Sequence, residues 1–151
     1  MKILEKITKD HARIADLFAR IQAPGNGCAK MKSELCRRLV LELRAHAQFE
    51  EQAFYPVLAA VSEEAEDLVQ LAVGEHLEFD RMLRRVEKWD GSGGGLMPYL
   101  GHLQRWVEEH VEDEENDIFP FARDLSTVEN DKDLARLDHA LMRRYSRSAA
   151  E

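Results

Sequence analysis

Sulfur, positive charge and long apolar runs are all scarce in this chain, and each scarcity closes off a class of function. Only two of the 151 residues are cysteines, Cys28 and Cys36, eight apart. That spacing matches neither a CxxC redox pair nor a zinc knuckle, so both read as ordinary reduced thiols. Lys and Arg number 21 against 29 Asp and Glu, a formal charge of −8. This balance opposes non-specific attraction to nucleic acid or anionic membrane, and neither is expected as a partner. Arg143, Arg144 and Arg147 form the one basic cluster; they read as solvating and capping the last helix. No apolar run approaches the roughly 20 residues needed to span a bilayer. Met1-Lys2-Ile3-Leu4-Glu5 leads straight into a charged helix and not a signal peptide, so a cytoplasmic protein is expected. The chain also has no Ser-His-Asp set and no phosphate-binding loop.

What the chain does have is helical periodicity. Its length suits one compact core, and apolar residues recur at alternating spacings of three and four over four long segments. The first stripe runs Ile3, Ile7, His11, Ile14, Phe18, Ile21 and ends at Pro24-Gly25-Asn26-Gly27. The second runs Leu35, Leu39, Leu43, His46, Glu50, Ala53, Val57. The third runs Val69, Ala72, His76, Phe79, Leu83, Val86 and ends in the connector Asp90-Gly91-Ser92-Gly93-Gly94-Gly95, whose composition is that of a flexible link. The fourth runs Leu100, Leu103, Val107, His110, Glu114, Ile118, Phe121, and a shorter fifth carries Leu134, Leu137, Leu141 and Tyr145. Between the second and third, Ser62 followed by Glu63-Glu64 reads as an N-cap with an acidic first turn, placing the turn near Val61 and Ser62. Short connections favour antiparallel neighbours. The expected fold is all-α: an up-down-up-down four-helix bundle over residues 1–124, with 125–151 forming an additional short C-terminal helix packed on it.

Polar residues interrupt these stripes in a repeating way. HAQFEEQAFYP at 46–56 aligns with HVEDEENDIFP at 110–120, a shift of 64, and KDHARIADLFARI at 9–21 aligns with GEHLEFDRMLRRV at 74–86, a shift of 65. The chain is thus two helical hairpins of one design, each supplying one lone His and one His-x-x-x-Glu pair. Residues four apart on a helix differ by about 40° around its axis, so His46 with Glu50, and His110 with Glu114, point into one region of the bundle.

A lone His on an apolar face is ordinarily a hydrogen-bonded core residue, and one His-Glu pair at helical spacing is ordinarily a surface ion pair. Neither accounts for six stripe positions related by a repeat. Buried carboxylates cost several kcal/mol unless something cationic satisfies them, which a bound metal does. Mixed imidazole and carboxylate ligation suits iron, manganese or zinc, and four His with two bridging-capable Glu suit a pair of ions.

One His, then His-x-x-x-Glu-Glu followed by Tyr-Pro or Phe-Pro, then the same again, resembles the hemerythrin-like or HHE cation-binding family over roughly residues 5–124. The resemblance implies a non-haem di-iron centre, two iron ions bridged by two carboxylates and an oxo or hydroxo group. It implies His11, His46, Glu50, His76, His110 and Glu114 as ligands. It further implies a small partner, dioxygen, nitric oxide or peroxide, handled for sensing, stress defence or oxygen handling. Oxygen-carrying hemerythrins have His-x-x-x-His on the third helix, whereas here Ala72 and Asp80 flank His76 at that spacing; a fifth His is missing. They also end in His-x-x-x-x-Asp, whereas here Glu114 lies four residues and Glu115 five residues after His110. Iron storage or donation, and a metal-dependent regulatory interaction module, are the alternative functions.

Several neighbours read as lesser participants. Glu51 and Glu115 rotate about 100° away from the proposed ligands, toward solvent or a position supporting a ligand from behind. The acidic run from Glu108 to Asp117 reads as a solvated face, with an iron entry path as the alternative. His102 lies about 80° off the ligand line and reads as partly exposed, while His139 has no assigned role. Phe49, Tyr55, Trp106 and Phe119 read as packing aromatics, and Tyr55, nine residues after His46, falls on the opposite face of an ideal helix.

Overall fold

The computed structural model describes residues 2–25, 29–128, 139–140 and 142–143. Among them every regular element is helical: α1 (Lys2–Gln22), α2 (Ala29–Phe49), a π-helical turn (Glu50–Phe54), α3 (Tyr55–Ala59), α4 (Glu63–Glu87), α5 (Leu96–Asp113), a second π-helical turn (Glu114–Ile118) and α6 (Phe119–Val128). The π turns join α2 to α3 and α5 to α6 without interrupting the rod, so four long helices result. Contacts run around a ring, α1 with α2, α2 with α4, α4 with α5, and α5 with α1. The fourth helix thus runs to Val128, past residue 124. Most of the fifth segment, including Leu134, Leu137, Leu141 and Tyr145, lies outside the described residues, as does Cys28; residues 139–140 and 142–143 are helical, and Met142 packs on the bundle.

Two apolar clusters fill the bundle, and their membership gives the helix directions. One joins the C-terminal half of α1 (Ile14 to Ile21) to Cys36–Leu43, Phe79–Val86 and Leu96–Val107. The other joins the start of α1 (Ile3 to Ile7) to the end of the second rod (Phe49–Leu58), the start of α4 (Val69, Ala72) and Ile118–Ala122. The start of each rod meets the end of its neighbours, which is antiparallel up-down-up-down packing. Each fully buried Leu, Ile or Phe contributes about 1.5–3 kcal/mol. Between the two clusters lies a polar layer, and that layer holds His11, His46, Glu50, His76, His110 and Glu114, all buried.

Local signals account for the ends. Ser62 caps α4, its Oγ accepting from Ala65 N at 3.1 Å, and Glu63, Glu64 and Glu66 occupy the positive first turn. The glycine-rich connector approaches the rest of the bundle closely at its start, while Gly93, Gly94 and Gly95 stand in open space. Gly91 adopts φ of 90°, and a Cβ there would lie 1.9 Å from the Ala29 carbonyl oxygen, so only glycine fits. Ser33 Oγ donates to the Trp89 carbonyl at 3.3 Å. Trp106, read from the sequence as a packing aromatic, is 48% exposed. Among the described residues no helix is long and apolar enough to cross a membrane.

Candidate metal centre

The two π turns begin at Glu50 and Glu114, the carboxylates of the two His-x-x-x-Glu pairs. A π turn closes its hydrogen bond one residue later than an α turn, which shifts the register of everything beyond it. The buried positions after the first turn are accordingly Tyr55 and Leu58, with Val57 only partly covered; after the second they are Phe119 and Ala122, with Phe121 partly covered. An unbroken α-helical stripe would have buried Val57 and Phe121 fully. The same slip turns Tyr55 toward the polar layer, where its hydroxyl donates to Glu50 Oε2 at 3.2 Å. Tyr55 is therefore a neighbour of the centre and not a packing residue on the far face.

The six inward residues converge as two overlapping groups. His11, His46, Glu50 and Glu114 offer ligand atoms within 4.8 Å of one another, and so do Glu50, His76 and His110. Glu50 belongs to both: Oε1 lies 2.9 Å from His46 Nε2 and Oε2 lies 3.3 Å from His76 Nε2. Glu114 reaches His11 Nε2 at 3.1 Å and falls in the first group alone. The imidazoles approach in pairs within each hairpin, with His11 Nε2 3.1 Å from His46 Nε2 and His76 Nε2 3.1 Å from His110 Nε2.

Behind each imidazole stands a second carboxylate. Nδ1 of His11 contacts Glu115 Oε1 at 2.8 Å, Nδ1 of His76 contacts Glu51 Oε1 at 2.9 Å, and Nδ1 of His110 contacts Glu75 Oε2 at 2.5 Å. His46 Nδ1 faces Asp10 Oδ2 at the longer distance of 3.8 Å. The repeat relates these supports as well, Glu51 to Glu115 and Asp10 to Glu75. A proton held on Nδ1 by the outer acid leaves the Nε2 lone pair pointing inward, the tautomer a metal ligand requires.

That arrangement leaves the centre short of positive charge. Facing Nε2 atoms whose Nδ1 atoms carry the protons present lone pair to lone pair. Glu50 Oε1 and both Glu114 oxygens are buried without a partner in hydrogen-bonding geometry, despite the short distances to imidazole nitrogen, and so is His46 Nδ1. Unsatisfied buried groups of this kind are costly, and a cation among them removes the cost. Without metal, protons are the substitute. Burial works against a charged His46, but Glu50, Asp10 and Glu114 outweigh it and hold the imidazole up at about 10. Burial is likewise outweighed at His11 by Glu114, and at His76 by Glu50 and Glu51, so both are raised. The two carboxylates part company. Burial would raise Glu50, yet His46 and His76 bring it well below its ordinary value. Glu114 is raised, by burial and by the charge of Glu50, with His11 and His46 only partly compensating.

Other sequence candidates lie elsewhere. His102 is exposed and paired with Arg105 at 2.9 Å. Asp80 pairs with Arg44 at 2.9 Å and Arg84 at 3.3 Å, not with an imidazole of the centre. Asp10 and Glu75 escaped the sequence reading although a signal existed: each directly precedes the lone His of its hairpin, an acid at the same place in both repeats.

Comparison with known proteins matches the family model described as the hemerythrin HHE cation binding domain to residues 2–122. The chain is 23% identical over 121 residues to an uncharacterized hemerythrin-like protein of Schizosaccharomyces pombe, covering 80% of this chain and 59% of that protein. It is 28% identical over 123 residues to a protein of Nostoc sp. named a DNA nickase, covering 82% of this chain and 34% of that protein. The chain thus spans less than two thirds of either relative. No solved structure gives a significant match.

Proposed function

Because the chain belongs to the hemerythrin HHE cation-binding family, we propose that His11, His46, Glu50, His76, His110 and Glu114 hold two iron ions, and that the pair binds or reacts with dioxygen, nitric oxide or peroxide. The observation that carries this reading is the group of buried, unpartnered Glu50, Glu114 and His46 atoms at the focus of four imidazoles. Hard carboxylate oxygens mixed with imidazole nitrogens suit iron in preference to a soft-ligand metal. An iron pair, when bound, supplies two one-electron steps and coordination positions open to a small molecule.

The protein's own contribution is positional. Glu51, Glu75 and Glu115 fix the tautomer and tilt of three imidazoles, and Asp10 stands behind the fourth. Phe119 lies flat beside His11, with centroids 6.4 Å apart at 15°, and Tyr55 lies flat beside His76, at 5.6 Å and 22°. Those rings and the two apolar clusters cover the polar layer from both ends of the bundle. Tyr55 also holds a proton next to Glu50; burial, then the charges of Glu50 and Glu114, keep its hydroxyl protonated well above the ordinary range.

The test is metal content with the absorption spectrum of protein purified in air, followed by mixing of the ferrous form with oxygen. Two irons per chain with charge-transfer bands, and rapid oxidation of both, are expected. With one imidazole fewer than the oxygen carriers, the centre is expected to oxidise and not to release oxygen intact. A long-lived reversible adduct would return oxygen carriage to first place, and a single tightly bound ion would remove the di-iron reading.

A further inference from the structure

Two cavities open toward the imidazoles, and the internal repeat relates them. One, of about 230 Å³, lies between α2 and α4 and touches His11, His46, His76 and His110. The other, of about 290 Å³, lies between α1 and α5 and touches His11 alone among the imidazoles. Arg44, Gln48 and Asp80 line the first where the repeat puts Glu108, Glu112 and Ala15 in the second. The exchange changes what each mouth can do.

At the α2–α4 mouth, Arg44 bridges to the opposite helix, Nε to Asp80 Oδ1 at 2.9 Å and Nη1 to Glu87 Oε1 at 3.0 Å. Its charge is spent on these two acids, and Glu51 adds a third carboxylate nearby, so the entrance offers nothing to an anion. The exposed Leu77 provides an apolar lip. Inside, the wall is Leu43, Phe79, Leu83 and Val107, all buried. In the mate, Glu108 accepts from Gln104 on its own helix at 2.8 Å, and Ala15 has no charge with which to tie α1 to α5.

A cavity of about 150 Å³ is enough to hold benzene, and the α2–α4 cavity exceeds that size with an apolar wall on one side and the four imidazoles on the other. We propose that the α2–α4 cavity, and not its mate, binds a small uncharged apolar molecule of benzene size against the imidazoles, admitted past the Arg44–Asp80 ion pair. This rests on the metal-centre reading only for the purpose such a ligand would serve. The ion pair acts as a latch: it spans the two helices, is about one-third exposed at Arg44, and can open without disturbing the apolar wall.

The experiment is xenon pressurisation of crystals of the full chain, together with the shift in melting temperature on adding benzene. Xenon beside Phe79 and Leu83 is expected, with a benzene-induced rise in Tm that Ala47→Phe abolishes and Ala15→Phe, in the mate, leaves in place. Should Ala47→Phe not fold, Arg44→Ala serves instead: it should speed benzene exchange by about two- to fivefold, the range a partly exposed ion pair allows. Xenon at equal or greater occupancy beside Phe18, no xenon in either cavity, or equal loss with Ala15→Phe would overturn the proposal. Neither readout passes through oxidation. No xenon in a protein with a reactive iron pair removes this inference alone, and xenon in place with one unreactive ion removes the functional reading alone.

Discussion

The two hairpins set the same residues around one centre and then treat their carboxylates differently. Glu50 lies within reach of both groups of imidazoles and receives a hydrogen bond from Tyr55. Glu114 stands in one group only, and the residue that corresponds to Tyr55 is Phe119, which has no hydroxyl to give. Both aromatic rings cover an imidazole, so the packing role is kept in each half and the donor in one. The lowered Glu50 and raised Glu114 follow the imidazoles: His46 and His76 outweigh burial at Glu50, while His11 and His46 fall short of burial and the Glu50 charge at Glu114; the Tyr55 hydroxyl, near both carboxylates, adds a donor on the Glu50 side. A repeat can therefore conserve geometry while dividing labour: one carboxylate holds charge, the other yields it first.

Breaking that comparison at the carboxylates should have the largest effect. Glu50→Ala removes the atom set common to both groups and should cost most of the metal at both positions. Glu114→Ala should weaken the His11–His46 side more than the His76–His110 side. Elemental analysis of the two purified variants decides it, and equal loss in both would show the carboxylates to be equivalent bridges.

Metal removal comes next, and its effect should depend on pH. The folded-state value of His46 is raised from 6.5 to about 10. In the metal-free protein its pairing with Glu50 thus contributes stability fully present below about 6.5 and lost as pH rises toward 10. Metal requires neutral imidazoles, so the loaded protein loses stability in the opposite direction, as pH falls. The difference in Tm between loaded and chelated protein should accordingly widen from pH 6 to pH 9. Free metal at 100 times its dissociation constant contributes about 2.7 kcal/mol. A difference that is constant or narrows over this range would contradict the pairing.

A smaller effect sharpens the contrast among the outer acids. Glu51→Gln, Glu75→Gln and Glu115→Gln should each lower metal affinity by roughly 10- to 100-fold, the usual cost of removing an acid behind a histidine ligand. Asp10→Asn should cost less, because its oxygen stands 3.8 Å from His46 Nδ1 and it is also paired with Arg13. Competition titrations against a chelator would rank the four, and Asp10 at the top would reverse this order.

How far the sequence reached follows from what periodicity can see. The six inward residues, the antiparallel bundle and the Ser62 turn were legible because apolar spacing, an internal repeat and a cap signal each report on local geometry. Tyr55 was not, since its place follows from a π turn, and an angle counted at 3.6 residues per turn carries it to the wrong face. The same slip moved Val57 and Phe121 off the fully buried line. A place for Glu51 and Glu115 behind an imidazole was left open by their rotation beyond Glu50 and Glu114, but the pairing of each with the His of a different helix is a tertiary fact. The close approach of Gly91 to Ala29 was not legible, because composition cannot show where a connector's backbone will lie.

The smallest expected effect tests the asymmetry most directly. Tyr55→Phe makes the first half resemble the second, deleting one buried hydrogen bond while keeping the ring beside His76. A net hydrogen bond is worth about 0.5–1.5 kcal/mol, and somewhat more when the acceptor is charged. The ring is retained, so no cavity forms and the loss should stay near that range. Phe119→Tyr is the reciprocal change, offering Glu114 a donor in the half that lacks one; the added hydroxyl must fit a position that is 1% exposed, so its gain should be smaller than the loss in Tyr55→Phe. The double variant then exchanges the two carboxylates' roles. If the tyrosine sets which carboxylate keeps its charge, the infrared carboxylate bands of the metal-free protein, assigned through Glu50→Gln and Glu114→Gln, should show Glu114 taking up its proton last in the double variant. Unchanged order would mean that the imidazoles alone, through the reach of Glu50 to both groups, decide the matter.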